Sequence, residues 1–169
     1  MQLSLPHIKV LLAGIASLIL TLGIARFAYT PLLPIMQHET GLSDANGGWL
    51  ATFNYAGYMC GALLAASINS LHLKDTLYRI GLILALVTTA GMALSESIWL
   101  WSIMRFFAGL TSAGGLLIGS GLILNWLIRH NHRMELGIHF SGIGFGIIVS
   151  AVAVDAMASH FSWDEQWVI

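Results

Sequence analysis

Residues 21–36 read TLGIARFAYTPLLPIM. An arginine, Arg26, stands in an apolar run, and nothing between Val10 and Ala25 carries a charge. Two prolines, Pro31 and Pro34, follow inside what the run predicts to be a helix. A water-soluble core rejects an unpaired arginine, and a simple membrane anchor has no need of one. The stretch predicts a spanning helix whose arginine faces protein or a cavity rather than lipid. A missing amide and a steric clash at the prolines predict a bend or break near its far end.

The rest of the chain agrees with a membrane protein. Of 169 residues, 57% are hydrophobic and only 9% charged, with a mean hydropathy of +0.79. Soluble domains carry about 25% charged residues, so this chain lacks the charges to cover a water-facing surface. The formal net charge of −1 offers no field to recruit nucleic acid. The single cysteine, Cys60, cannot form an intramolecular disulfide.

A spanning helix needs about 20 mostly apolar residues. Five windows satisfy this, at about 8–36, 48–71, 77–94, 98–128 and 136–159. The expected fold is an all-α polytopic bundle forming a single transmembrane domain over residues 1–169. Short polar connectors separate the windows: QHETGLSDANG, with Ser43 or Asp44 as helix N-cap, then HLKDT, SES and RHNHRM. After the fifth window, WDEQW reads as the start of a sixth helix, with Trp163 and Trp167 on one face as interfacial anchors. The chain therefore reads as five complete spans and a truncated sixth.

Charge sidedness supports this count. Lys9, Lys74, Arg79, Arg129 and Arg133 fall on one side, while Glu39, Asp44, Glu96, Asp164 and Glu165 fall on the other. The positive-inside rule places the N-terminus in the cytoplasm. The expected location is integral to a bacterial inner (plasma) membrane.

Two arginines lie within spans. Arg26 is roughly 15 Å from the outer end of its predicted helix, and Arg105 roughly 10 Å inside the fourth, at 1.5 Å per residue. Intramembrane arginines mark functional sites and need a partner; snorkelling to the interface is the plainer alternative. Asp155 is the one acid placed within a span and the natural counter-charge candidate. Tyr29, Asn54 and Tyr55 share the outer half with the arginines and, together with them, are the candidates to line a substrate cavity. Interhelical hydrogen bonding is the alternative role of these polar groups. Gly57 and Gly61, Gly115 and Gly119, and Gly142 and Gly146 have the small-xxx-small spacing of close helix packing.

Two catalytic or metal readings are weaker. His132, Glu135 and His139 share a helical face that could hold a metal, but H-E-x-x-H is absent. Ser120 and His139 could form a hydrolytic dyad, provided they reach one another. The reading is of a non-enzyme without cofactor or metal.

Four stretches, LGIARFAYTPLLPIMQ, NYAGYMCGAL, RFFAGLTSA and HFSGIGFGI, occur in an order that resembles the YbfB/YjiJ-type transporters of the major facilitator superfamily. The resemblance covers nearly the whole chain. It implies twelve helices in two six-helix halves, of which this chain looks like most of the N-terminal half. It also implies transport of a small solute by alternating access, with helices 1 and 4 lining the cavity. RFFAG is similar to the helix 4 motif of the superfamily's proton antiporters, with Arg105 in the arginine's place and Ala108 where that motif has glutamine. SLHLKDTLYR keeps Lys74, Asp75 and Arg79 of the superfamily's loop motif but not its glycines.

On this reading the chain is an N-terminal fragment that does not transport alone. Its partners are membrane lipid, a small-molecule substrate and the missing C-terminal half or an oligomeric partner. The alternative is a five-helix protein that binds other helices through the glycine-rich faces of helices 2 and 5.

Overall fold

A computed structural model describes residues 5–169. They form five long helices and one short one, with no strand among the described residues. Helix α1 is Leu5–Thr40, α2 is Asp44–Ser67, α3 is Leu71–Leu94, α4 is Ile98–Arg129, α5 is Leu136–Met157 and α6 is Trp163–Val168. Four of them, α1, α3, α4 and α5, are long and apolar enough to cross a membrane. The 24-residue α2 matches them in length, about 36 Å at the helical rise. Asn54, Tyr55 and Tyr58 in its middle lower its hydropathy.

Local chemistry sets the helix ends. Ser43 caps α2, its hydroxyl accepting from the Asn46 amide at 3.3 Å. Gly41, in the left-handed region at φ 72°, ends α1. Ser70 caps α3, so the connector after α2 is only residues 68–70. HLKDT is therefore helical: the expected window 48–71 moves to 44–67, and the window 77–94 begins earlier, at Leu71, and keeps its end at Leu94. The Ser70 cap outweighs the polarity of the segment, because an exposed helix turn carries charged side chains without cost.

The prolines do not break α1. The distortion lies before them, where Ile19–Phe27 is π-helical and the α-helix resumes at Tyr29. Pro31 then stands in the first turn of the resumed helix, where it withholds an N–H from the Phe27 carbonyl one turn back. Pro34 is carried inside the helix. Helix α4 has a second π-helical stretch, Gly114–Gly119. Such stretches accommodate an extra residue in a turn and recur at functional sites.

Helix α2 packs along α4, α1 along α5, and α3 along α4. At one end of the bundle, Trp101, Met36, Leu50 and Met92 form the apolar core with Trp163 and Trp167 of α6. The two α6 tryptophans are thus buried against the bundle rather than standing out as anchors: the Trp163 ring meets Trp101 edge-on at 5.3 Å. Ser162 and Glu165 form a capping box at the start of α6, and the Glu39 carboxylate of α1 accepts from the Trp163 amide at 3.1 Å. At the other end, Leu11, Ile123 and Leu127 close the core.

Candidate functional site

The site begins with the backbone of α1. In a helix that changes from π to α spacing, carbonyls near the change lose their regular partners. Pro31 deepens the loss, because it offers no N–H one turn after Phe27. The Arg105 guanidinium fills this gap from α4. Its Nη1 donates to the Ala25 carbonyl at 3.2 Å and its Nη2 to the Arg26 carbonyl at 3.1 Å. Its planar face lies 4.3 Å over the Tyr29 ring. Arg105 is 3% exposed, with no carboxylate within ion-pairing distance among the described residues.

Magnitudes show why this charge is tolerated. An arginine at the centre of a span costs about 2.5–3.5 kcal/mol on insertion scales. Hydrogen bonds from a charged group return about 1.5–3 kcal/mol each, and a desolvated cation–π contact about 2 kcal/mol. The two bonds and the ring therefore offset the burial. Arg105 is a buried strap between α4 and α1, bonded through both Nη atoms, with its Nε left without a partner.

The other polar candidates join this strap. Asn54, 2% exposed, donates from Nδ2 to the Arg105 carbonyl at 2.9 Å, tying α2 to α4. The Tyr29 hydroxyl donates to the Gly47 carbonyl at 2.8 Å, tying α1 to α2. Interhelical bonds in membranes average about 0.6 kcal/mol, so each tie is weak and the set defines the geometry jointly. The Ser112 hydroxyl lies 2.7 Å from both the Thr21 and Ala108 carbonyls and can donate to one at a time.

Arg26 is different. Its guanidinium lies 4.4 Å over the Tyr58 ring, 5.4 Å from Tyr55 and 5.3 Å from Phe27. It is half-buried, its Nε, like that of Arg105, has no hydrogen-bond partner, and no carboxylate pairs with it among the described residues. Tyr55 is 61% exposed, so the aromatic wall around Arg26 is open on one side. Asp155 is exposed near the end of α5 and pairs with neither arginine. The counter-charge expected there is replaced by backbone carbonyls at Arg105 and aromatic faces at Arg26. Tyr58 carries the shortest cation–π contact, yet the sequence reading passed over it. Its spacing of four from Asn54, on one helix face, was the available signal.

The six paired glycines all lie at close helix contacts. A Cβ on Gly57 would meet the Phe106 carbonyl, and on Gly61 the Leu110 carbonyl. On Gly115 it would meet Thr21, on Gly119 Tyr78, on Gly142 Ile15 and on Gly146 Gly23. The glycine faces of α2 and α5 are therefore occupied by α4 and α1 inside the bundle. Gly109, outside the paired pattern, is as tight: its Cβ would fall on the Asn54 carbonyl.

The remaining chemical candidates separate. His132 stacks on His7 and on Trp126, with ring centroids 4.5 and 5.5 Å apart. The Glu135 carboxylate sits 3.5 Å from His7, and His139 turns to Ser120. The three residues of the metal reading do not converge, and no metal-holding group forms among the described residues. Ser120 Oγ and His139 Nε2 do meet, at 2.9 Å. His139 Nδ1 has no partner, so the acid that would orient a hydrolytic histidine is missing among the described residues.

The described residues thus combine membrane-length helices, a buried arginine strap and a second arginine open on one side between α1 and α2. Residues 18–169 match the family described as uncharacterised MFS-type transporter YbfB. The chain belongs to that family. Among curated proteins, this YbfB-family chain is 29% identical to an uncharacterized transporter, mfc1, of Schizosaccharomyces pombe, over 83% of the chain and 29% of the relative. It is 27% identical to the efflux pump radE of Floropilus chiversii, over 74% of the chain and 24% of the pump. It is 28% identical to the MFS-type transporter hepF of Aspergillus oryzae, over 66% and 23%. The chain thus spans under a third of the length of these relatives. No solved structure matches it.

Proposed function

We propose that this chain forms part of a secondary transporter that moves a small solute with an anionic group by alternating access, and that Arg26 binds that group. The observation that carries the reading is the state of Arg26. Its cation is held by aromatic faces alone, with its hydrogen-bonding edge unspent. An incoming carboxylate, sulfonate or phosphate supplies what the protein does not, two acceptor oxygens matching the guanidinium fork. Tyr55 and Tyr58 offer the rest of such a solute an amphipathic wall. Arg105 then acts from behind, holding the backbone on which Arg26 is mounted.

The whole carrier's activity requires more than these helices. The relatives are about three times as long, and we assign to the remaining portion the surface that closes over Arg26 from the other side. Charge sidedness supports a cytoplasmic N-terminus, and the membrane of residence we propose is a bacterial plasma membrane. The similarity to the efflux pump radE makes efflux the first direction to test.

The test is proteoliposome transport of a panel of small organic anions by the full-length protein. Arg26→Ala should reduce transport of the accepted anion at least about tenfold, the value of one charge-assisted bond. Tyr58→Leu should raise the concentration needed for half-maximal rate. Undiminished transport by Arg26→Ala would remove the assigned role.

A further inference from the structure

His139 plays no part in the Arg26 site, yet it is the most completely enclosed titratable side chain of the bundle. It is 0% exposed and lies where three helices meet. From α5, its Nε2 is 2.9 Å from the Ser120 hydroxyl of α4. Its ring rests on α1 at Gly14, where a Cβ would fall 2.6 Å from Nδ1. Only a glycine leaves room for the ring. Nδ1 is buried without a hydrogen-bond partner.

This geometry selects the protonation state. A neutral imidazole has one donor and one acceptor nitrogen. A buried donor without acceptor costs more than a bare lone pair, so the proton sits on Nε2 and is donated to Ser120. The second proton would have to enter at Nδ1, against the Gly14 backbone. The Gly14 carbonyl already accepts from the Ser17 hydroxyl at 2.8 Å. No acceptor and no counter-charge receives the new N–H. The imidazolium and this close packing of α1, α4 and α5 are incompatible.

The titratable groups on the surrounding elements do not reverse this. On α1 they are the exposed Lys9 and the buried His7, and on the α4–α5 connection His132, which stacks on His7 at 4.5 Å. Glu135 precedes α5 by one residue, but its carboxylate is directed to His7 at 3.5 Å. Arg129 of α4 is a like charge, and Tyr78 of α3 seats on Gly119.

We propose that His139 is a proton-binding site whose occupancy is exclusive with the packing of α5 against α1 and α4 seen here. By linkage, a proton that binds only the opened arrangement shifts the population toward it as pH falls. The limiting slope is about tenfold in the ratio of the two states per pH unit. If the chain works as a transporter, as proposed above, this would make the proton a coupling ion; the linkage itself does not depend on that reading.

The test is the α1–α5 distance by pulsed electron paramagnetic resonance on the full chain in lipid nanodiscs. Spin labels go at exposed Leu12→Cys and Phe145→Cys, with the exposed Cys60 changed to serine. Between pH 8 and pH 5, a second, longer distance should grow in at up to about tenfold per pH unit. His139→Gln should abolish the growth, and Ser120→Ala should displace its midpoint, which also serves if His139→Gln fails to fold. A single distance throughout the pH range, or an unchanged midpoint in both His139→Gln and Ser120→Ala, would overturn the proposal. No substrate is needed, so a failure of the Arg26 transport test leaves this result unaffected.

Discussion

Arg105→Met lowers the stability of the bundle by about 3 kcal/mol, even though it removes a buried charge from the membrane interior. The sum has two sides. Methionine fills much of the same volume and relieves the cost of burying an arginine, about 2.5–3.5 kcal/mol. It also strips the Ala25 and Arg26 carbonyls of their donor. Each buried acceptor left unpaired costs about 1–3 kcal/mol, and the charge-assisted bonds and the Tyr29 ring contact are lost with it. Pro31 prevents the helix from repairing itself by shifting hydrogen bonds one residue along. Arg105→Lys should fall between, because a single ammonium cannot span both carbonyls with a fixed fork. Reversible unfolding in mixed micelles measures the difference. If Arg105→Met proves as stable as the parent, the strap is not what holds the distorted part of α1.

Gly57→Leu should be comparably damaging, at about 3 kcal/mol. Gly81→Leu, the same change on α3, should be neutral or stabilising. At Gly57 the obstructing atom is the Phe106 carbonyl, part of the α4 backbone. A side chain there cannot be accommodated by rotating a neighbour, so α2 and α4 must separate, and overpacking costs of about 1–3 kcal/mol apply at their upper end. At Gly81 nothing lies within 4 Å of an added Cβ. There the helix gains the better intrinsic propensity of leucine, about 0.5–1 kcal/mol. The same unfolding measurement reads both variants, and equal effects would show that the glycine faces do not decide the packing. Separation of α2 from α4 would also break the Asn54 bond to the Arg105 carbonyl, so the two large effects should not be additive.

The all-helical, membrane-spanning character was legible because it depends on local composition. An uncharged run such as Val10 to Ala25 must be buried in lipid or protein whatever else the chain does, and Gly-xxx-Gly spacing makes a close-packing face wherever it lies on a helix. The four quoted stretches also carried the family resemblance. Boundaries at Ser70 were missed because a serine cap and a polar stretch, His72 to Thr76, look like loop until the cap hydrogen bond is seen. The prolines were misread for a related reason. Their effect on a helix depends on which carbonyls they orphan, and the π-helical stretch before Pro31 moves the site of damage upstream.

Sequence alone determined that this is a helical membrane protein with two arginines, two tyrosines and an asparagine at similar depth, all candidates for one site. It could not rank them. Arg26 and Arg105 are equally costly in a span, and Asp155 was the obvious charge to balance either. Only the tertiary structure separates the two cations. It satisfies Arg105 with carbonyls 79 and 80 positions away along the chain, leaves Asp155 unpaired at the edge, and gives Arg26 nothing but aromatic faces. Burial cost follows from residue type and can be read in a line of sequence; satisfaction of that cost follows from which distant backbone groups the packing of helices brings within hydrogen-bonding reach.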